Sequence, residues 1–456
     1  MDLVLTESQL RRVFSELERA NAAQAGRLRG QIGDRHPVHT VYGGAQLFRA
    51  ETIEKLGEYA RSHFQTYGVD AATFAAAIGL QSTDPEDQNW LENTVFERVK
   101  AKLHREAVED FRVDFEDGFG FRADAEEDEV AKKVADEMAR ALKANRLSPF
   151  IGIRIKSLSE ETKKRSVRTL DLFLARLLNE SGGVIPPGFV ITIPKTACIE
   201  HVQAAADIFD MLETHHKLPA GALKLEIMIE TTTALLAADG RSPLSSMIRA
   251  GRGRIVGVHF GTYDYTAHCD VAAPMQAMSH PAAQFALQWM KVAFAGEAVA
   301  LSDGASNTIP VGPHRIKDPG PQLTPEKLQE NTKAVHSAWR VCFQNIQNSL
   351  RNGFYQGWDL HPGQIPVRYA ATYSFFLDGL APATQRLRAF VDRASQATLS
   401  RQTFDDAATG QGLLNFFLRA YHCGAMTSDE LQRTGLTLKD IESKSFFKIV
   451  DAKIDS

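Results

Sequence analysis

Along this chain, short runs of β-branched and aromatic residues alternate with longer stretches whose apolar positions recur every three or four residues. The short runs predict strands over 39–45, 111–115, 150–155, 188–194, 223–229, 254–260, 298–301 and 357–360. The longer ones predict helices over 128–147, 160–178, 199–212, 281–294 and 325–350. In the first of these, Val130, Val134, Met138 and Leu142 fall on one face. Eight strands separated by helices favour an α/β fold of the closed (β/α)8 barrel kind over an open doubly wound sheet. A dinucleotide-binding sheet would carry a Gly-rich phosphate turn after its first strand, and Val41-Tyr-Gly-Gly-Ala-Gln46 is not that fingerprint.

The repeat is broken in three places, which sets the expected domain organisation. Residues 1–35 form a helical extension, 36–380 the barrel, and 381–456 a helical tail whose boundary is marked by Pro382, with an insertion of mixed helical character over 68–109. The polar run Asp405-Asp-Ala-Ala-Thr-Gly-Gln-Gly412 reads as a loop.

Composition narrows the class. The 456 residues are 44% hydrophobic and 24% charged, enough for a large core. A formal net charge of -4, with no long basic run, argues against a nucleic-acid partner. Cys198, Cys269, Cys342 and Cys423 are scattered without metal-ligand spacing, as expected of reduced thiols in a reducing compartment. The first thirty residues lack the apolar core of a signal peptide, with Leu10, Val13, Phe14 and Leu17 on one helical face. No segment approaches the roughly 20 apolar residues of a membrane span. The expectation is a cytoplasmic protein with no membrane partner.

The chemistry lies where strands end. In a barrel of this type the C-terminal strand ends form the active face. The residues there are Glu116 and Asp117, Arg154, Lys195, Glu230, Asp264, Asp303 and His361. Any one alone suits a cap or a salt bridge; together they point to a site. Glu230 and Asp264 supply hard oxygen ligands of the kind Mg2+ takes one or two at a time, leaving positions for water and substrate. Arg154 is suited to hold a substrate carboxylate through two parallel hydrogen bonds. A 2-oxo acid or its enolate fits between them.

Asp114-Phe-Glu-Asp117, Ile153-Arg-Ile155, Ile193-Pro-Lys195, Ile227-Met-Ile-Glu-Thr231 and Gly357-Trp-Asp-Leu-His-Pro-Gly-Gln364 together resemble the citrate lyase beta-subunit and malyl-CoA lyase group, the HpcH/HpaI aldolase family. Gly261-Thr-Tyr-Asp-Tyr265 is similar to the matching segment of malate synthase. The resemblance implies a TIM barrel of the phosphoenolpyruvate/pyruvate type. It implies Mg2+ on Glu230 and Asp264, a substrate carboxylate on Arg154, and Glu116 with Asp117 in the outer shell of the metal. Lys195 becomes a substrate-binding, electrostatic residue rather than a Schiff-base nucleophile. The implied activity is a metal-dependent carbon-carbon lyase or aldolase, acting on an oxygenated acid, such as a 2-oxo acid, or an acyl-CoA ester through a metal-stabilised enolate. The implied assembly is a homo-oligomer. The alternatives are phosphoryl transfer on phosphoenolpyruvate or pyruvate, and a non-catalytic metabolite-binding barrel.

The first strand departs from the family, reading His39-Thr-Val-Tyr-Gly-Gly-Ala45 where an Arg-rich start and a Val-Pro ending are usual. Malate synthases take a catalytic Asp from a C-terminal domain; Asp405 and Asp406 are positional candidates for it, though the run reads better as a solvated loop. His361 is expected to order its loop, His259 to be a hydrogen-bonded core histidine, and Ser302-Asp-Gly-Ala-Ser-Asn307 to be a polar loop. Tyr263 and Tyr265 are expected to pack away from Asp264, and Arg252-Gly-Arg254 to stabilise the opposite barrel end.

Overall fold

A run such as Leu225-Glu-Ile-Met-Ile229 alternates side chains between two faces, so one set packs outward on helices and the other points inward. The computed structural model describes residues 7–28, 35–315, 323–397, 407–435 and 437. Its strands are β1 (His39–Gly44), β2 (Asp110–Asp114), β3 (Phe150–Arg154), β4 (Phe189–Ile193), β5 (Lys224–Ile229), β6 (Ile255–Phe260), β7 (Ala300–Ala305) and β8 (Gln356–Asp359). They close in chain order into a barrel whose neighbouring strands are all parallel. This is the (β/α)8 TIM barrel, and all eight expected strands are present.

The barrel interior is polar. Arg112 of β2 donates to Glu226 Oε2 of β5 at 2.9 Å and pairs with Asp110. Thr192 of β4 donates to Glu226 Oε1 at 2.6 Å, and His259 Nε2 of β6 lies 2.9 Å from Glu226 Oε2. Thr40 of β1 donates to Asp110 at 2.8 Å, and the Tyr42 hydroxyl meets His259 Nδ1 at 3.2 Å. Burial alone would raise the Glu226 carboxyl; Arg112 and then His259 outweigh it and hold Glu226 well below the usual range. His259 is therefore the hydrogen-bonded core histidine expected. Gly152 of β3 makes room for this layer, since a Cβ there would lie 2.1 Å from Val190 O and 3.1 Å from Arg112 Cδ.

Two boundaries differ from the sequence pattern. β7 begins at Ala300 and runs to Ala305, so most of the expected 302–307 loop is strand. Asp303 is tolerated there because it is buried with partners: its Oδ1 accepts from the Gly304 N–H at 2.6 Å and its Oδ2 from the Ser349 hydroxyl. It faces the helix Pro325–Arg351 rather than the mouth, which removes it from the candidate site. The helix expected over 128–147 spans Asp124–Lys143, its first turn carrying Asp124, Glu126 and Glu127 against the helix dipole.

The insertion holds the helices Ala71–Ile78 and Gln88–Glu106. The tail holds Leu380–Ala397, Ala407–His422 and Ser428–Arg433. Residues 407–412 are helical, so the loop expected over 405–412 is corrected. Leu413, Leu414, Phe417 and Leu418 bury one face of that helix and outweigh the local turn-forming residues. Asp405 and Asp406 lie outside the described residues. Tail and insertion are joined by Arg98, which donates to Glu430 Oε1 at 2.5 Å and also to the Ala425 carbonyl. At the N-terminal barrel end, Arg252 pairs with Asp210 at 2.6 Å and Arg254 with Glu213 at 2.6 Å, the stabilising role expected of that turn. Among the described residues, no helix is long and apolar enough to cross a membrane.

Removing Arg112 would leave Asp110 and Glu226 buried without their shared cation. Arg112→Met is expected to destabilise the protein by about 3–5 kcal/mol, the usual cost of breaking a buried pair. Urea denaturation of both proteins measures it, and a loss near zero would show that the interior network does not hold the barrel.

Candidate active site

The C-terminal mouth is built upward from one ion pair. Asp114 ends β2 and Arg154 ends β3, and the two are register partners. Arg154 donates from Nε to Asp114 Oδ1 at 2.7 Å and from Nη2 to Oδ2 at 2.5 Å. Its guanidinium carbon lies 4.8 Å from the centre of the Tyr42 ring, which floors the site. Asp114 also accepts the N–H of Glu116 at 2.9 Å and of Gly118 at 2.7 Å, folding the following loop around itself.

The next tier is carried by Lys195, two residues past β4, whose backbone is left-handed with φ +49°. That conformation aims its N–H at Glu230 Oε2, 2.7 Å away. Its ammonium contacts Glu116 and lies 3.3 Å from Asp117 Oδ1 and 3.7 Å from Asp264 Oδ2. Burial alone would lower the Lys195 ammonium; Glu116 first, then Asp264 and Asp117, raise it above its usual value. It stays a cation, which disfavours it as an amine nucleophile.

Glu230 follows β5 directly and is 2% exposed, whereas the Asp264 side chain, in the short helix Thr262–His268, is 45% exposed. Gly261 lets β6 pass close: a Cβ there would lie 2.2 Å from Glu230 Oε1. Burial, and after it the Asp264 charge, push the Glu230 carboxyl up to about 8. Burial also raises Glu116, against the pull of Arg154 and Lys195. Five carboxylates, Asp114, Glu116, Asp117, Glu230 and Asp264, thus face two fixed cations, Arg154 and Lys195.

Glu116, Asp117, Arg154, Lys195, Glu230 and Asp264, the residues to which roles were assigned, meet here. The two-bond hold expected of Arg154 for a substrate carboxylate is spent on Asp114, because a buried guanidinium needs a fixed counter-charge; Nη1 remains, 3.3 Å from Glu116 Oε2. Glu116 and Asp117 pair with Lys195 and Arg154. Asp114 and Tyr42 were missed, although Asp114 lies within a recognised motif and on the inward face shared with Arg112. His361 accepts from the Gly363 N–H at 3.1 Å, and burial pushes its imidazole down to about 4, so it orders its loop as expected. Tyr263 donates to Ala305 O at 2.9 Å and Tyr265 packs on Phe260, both away from Asp264.

Among the described residues, no group of three or more His, Cys, Asp or Glu side chains is placed to hold a metal ion. Glu230 and Asp264 fit a cation that takes only one or two carboxylates and completes its shell with water and substrate, which is the habit of Mg2+. Their mutual repulsion, visible in the raised Glu230, is what such an ion relieves.

The profile of a family described as a domain of unknown function, DUF6986, matches residues 17–449. The chain belongs to the DUF6986 family. No curated protein matches this DUF6986 chain. Among solved structures, a citrate lyase from Burkholderia xenovorans LB400 is similar with a TM-score of 0.52 and 15% identity, over 89% of this chain and 99% of that one. A Haloferax volcanii malate synthase in a lead(II) complex gives a TM-score of 0.47 and 14% identity, over 92% of this chain and 99% of that one. At 15% identity the citrate lyase likeness shows a shared barrel fold.

The raised Glu230 has a pH consequence. A group whose folded pKa lies above its unfolded value contributes stability that is present below the unfolded pKa and lost as pH rises through the folded one. With Glu230 near 8, the melting temperature of the metal-free DUF6986 protein is expected to fall between about pH 5 and pH 9. Glu230→Gln should flatten that fall in thermal melts; equal slopes in both proteins would contradict the burial assigned to Glu230.

Proposed function

We propose that this protein is a Mg2+-dependent carbon-carbon lyase of the aldolase type, acting on an oxygenated acid or its acyl-CoA ester. The observation that carries the reading is the excess of carboxylate over cation at the mouth, concentrated on Glu230 beside Asp264. Those two would hold the ion, which when bound supplies a Lewis acid for the negative charge that develops on oxygen as a carbon-carbon bond breaks or forms. The resemblance of the strand-end motifs to the citrate lyase beta-subunit and malyl-CoA lyase group supports the same reading.

The chain's own groups have separable roles. Lys195 keeps a permanent positive charge beside both carboxylates and orients Glu230 through its backbone N–H. Arg154, locked by Asp114, presents Nη1 as a fixed donor for a substrate carboxylate, with Glu116 the group that must yield. Glu116, raised by burial, is suited to hold or move a proton there; Asp117 tunes that charge from the more exposed side.

Calorimetric titration with Mg2+ tests the ligand assignment. The wild-type protein is expected to bind, while Glu230→Gln and Asp264→Asn each weaken binding at least about tenfold with unchanged circular dichroism. Unaltered binding in both variants would overturn the assignment. For the reaction, 2-oxo acids and acyl-CoA esters assayed with Mg2+ should include a substrate that is cleaved, with activity lost on chelation and Arg154→Lys lowering it by at least about tenfold. Phosphate release from phosphoenolpyruvate, or binding without turnover, would replace the lyase reading.

A further inference from the structure

At the barrel end opposite the mouth, a cavity of about 660 Å3 lies between the starts of β7 and β8 and the tail helix Ala407–His422. Cavities of this size commonly take small ligands. Two cations line it, and among the described residues neither forms an ion pair. Arg419, from the tail helix, has its guanidinium carbon 4.0 Å from the centre of the Tyr355 ring. None of its five N–H donors has a hydrogen-bond acceptor among the described residues. Lys291 donates one bond, to Gly353 O at 2.9 Å, and lies 5.3 Å from the centre of the Phe354 ring, which leaves two ammonium protons without an acceptor among the described residues. Glu297 also lines the cavity but pairs with neither cation.

The fully buried arginines of this chain, Arg112, Arg154, Arg254 and Arg368, each meet a carboxylate, whereas Arg419 and Lys291, half-buried at the cavity wall, meet none among the described residues. Burial and the neighbouring Arg419 charge both lower Lys291, and burial lowers Arg419. The remainder of the lining is largely apolar, with Phe294, Tyr355 and Phe376.

We propose that this cavity is a second ligand site, for a small organic anion whose phosphate or carboxylate group is met by Arg419 and Lys291 and whose apolar body rests on Phe294, Tyr355 and Phe376. The guanidinium supplies a planar fork and the ammonium a point charge, the pairing that suits an oxyanion. The site is separate from the mouth: its lining comes from the segment before β1, the end of the helix Pro281–Ala293 and the loop after it, the starts of β7 and β8, the helix Ile365–Asp378 and the tail. It does not depend on the lyase reading.

Phenyl phosphate and benzoate are the probes, with phenol as the uncharged control, read by calorimetry and thermal shift on the full chain. Phenyl phosphate, benzoate or both are expected to bind and raise the melting temperature, with affinity falling as salt increases, and phenol is expected to have no effect. Whichever acid binds identifies the acidic group. Arg419→Gln and Lys291→Gln should each weaken binding at least about tenfold while Mg2+ binding stays as in wild type. Both remove an unpaired cation and are expected to fold; if Arg419→Gln does not, Lys291→Gln carries the test. Absence of binding by both acids, or equal affinity in the variants that fold, would overturn the proposal.

Discussion

Neither member of the Arg154–Asp114 pair could be buried alone, and the order of the mouth follows from their meeting. Two parallel hydrogen bonds fix the guanidinium, and the remaining acceptor capacity of Asp114 draws in the N–H groups of Glu116 and Gly118. The loop so formed places Glu116 between Arg154 and Lys195. Lys195, held in a left-handed conformation, in turn directs its N–H to Glu230. The position of a buried carboxylate on β5 is thus linked through four residues to the pairing of β2 with β3.

Below that pair, the Arg112–Glu226 layer fills the barrel with charge rather than with the branched aliphatic side chains usual in such interiors. The two tiers differ in balance. In the lower one Arg112 and His259 hold the Glu226 carboxyl low while burial raises Asp110; in the upper one carboxylates outnumber cations and the Glu230 carboxyl is pushed up to about 8.

The sequence was most readable where a single element suffices. Period-two and period-3.6 patterns located every barrel strand, and strand ends located Glu116, Asp117, Arg154, Lys195, Glu230 and Asp264. Pairing was less readable. Asp114 and Arg154 are 40 residues apart, and nothing local says that one strand-end carboxylate takes the guanidinium while its neighbours do not. Asp303 looked like a mouth residue because polar runs usually leave a strand, but a serine from the helix Pro325–Arg351 satisfies it inside one. The start of the tail helix was hidden by turn-forming residues, since what holds it is the burial of Leu414 and Phe417 against distant elements.

Gly261 contributes no functional atom, yet Glu230 occupies space that any side chain at that position would need. The reach of the buried carboxylate is therefore encoded partly at the end of the neighbouring strand, by a residue that a comparison of acidic residues alone would pass over. A related barrel could keep both Glu230 and Asp264 and still be unable to seat them, so inheritance of the site should be judged on the strand pair rather than on its two acidic residues.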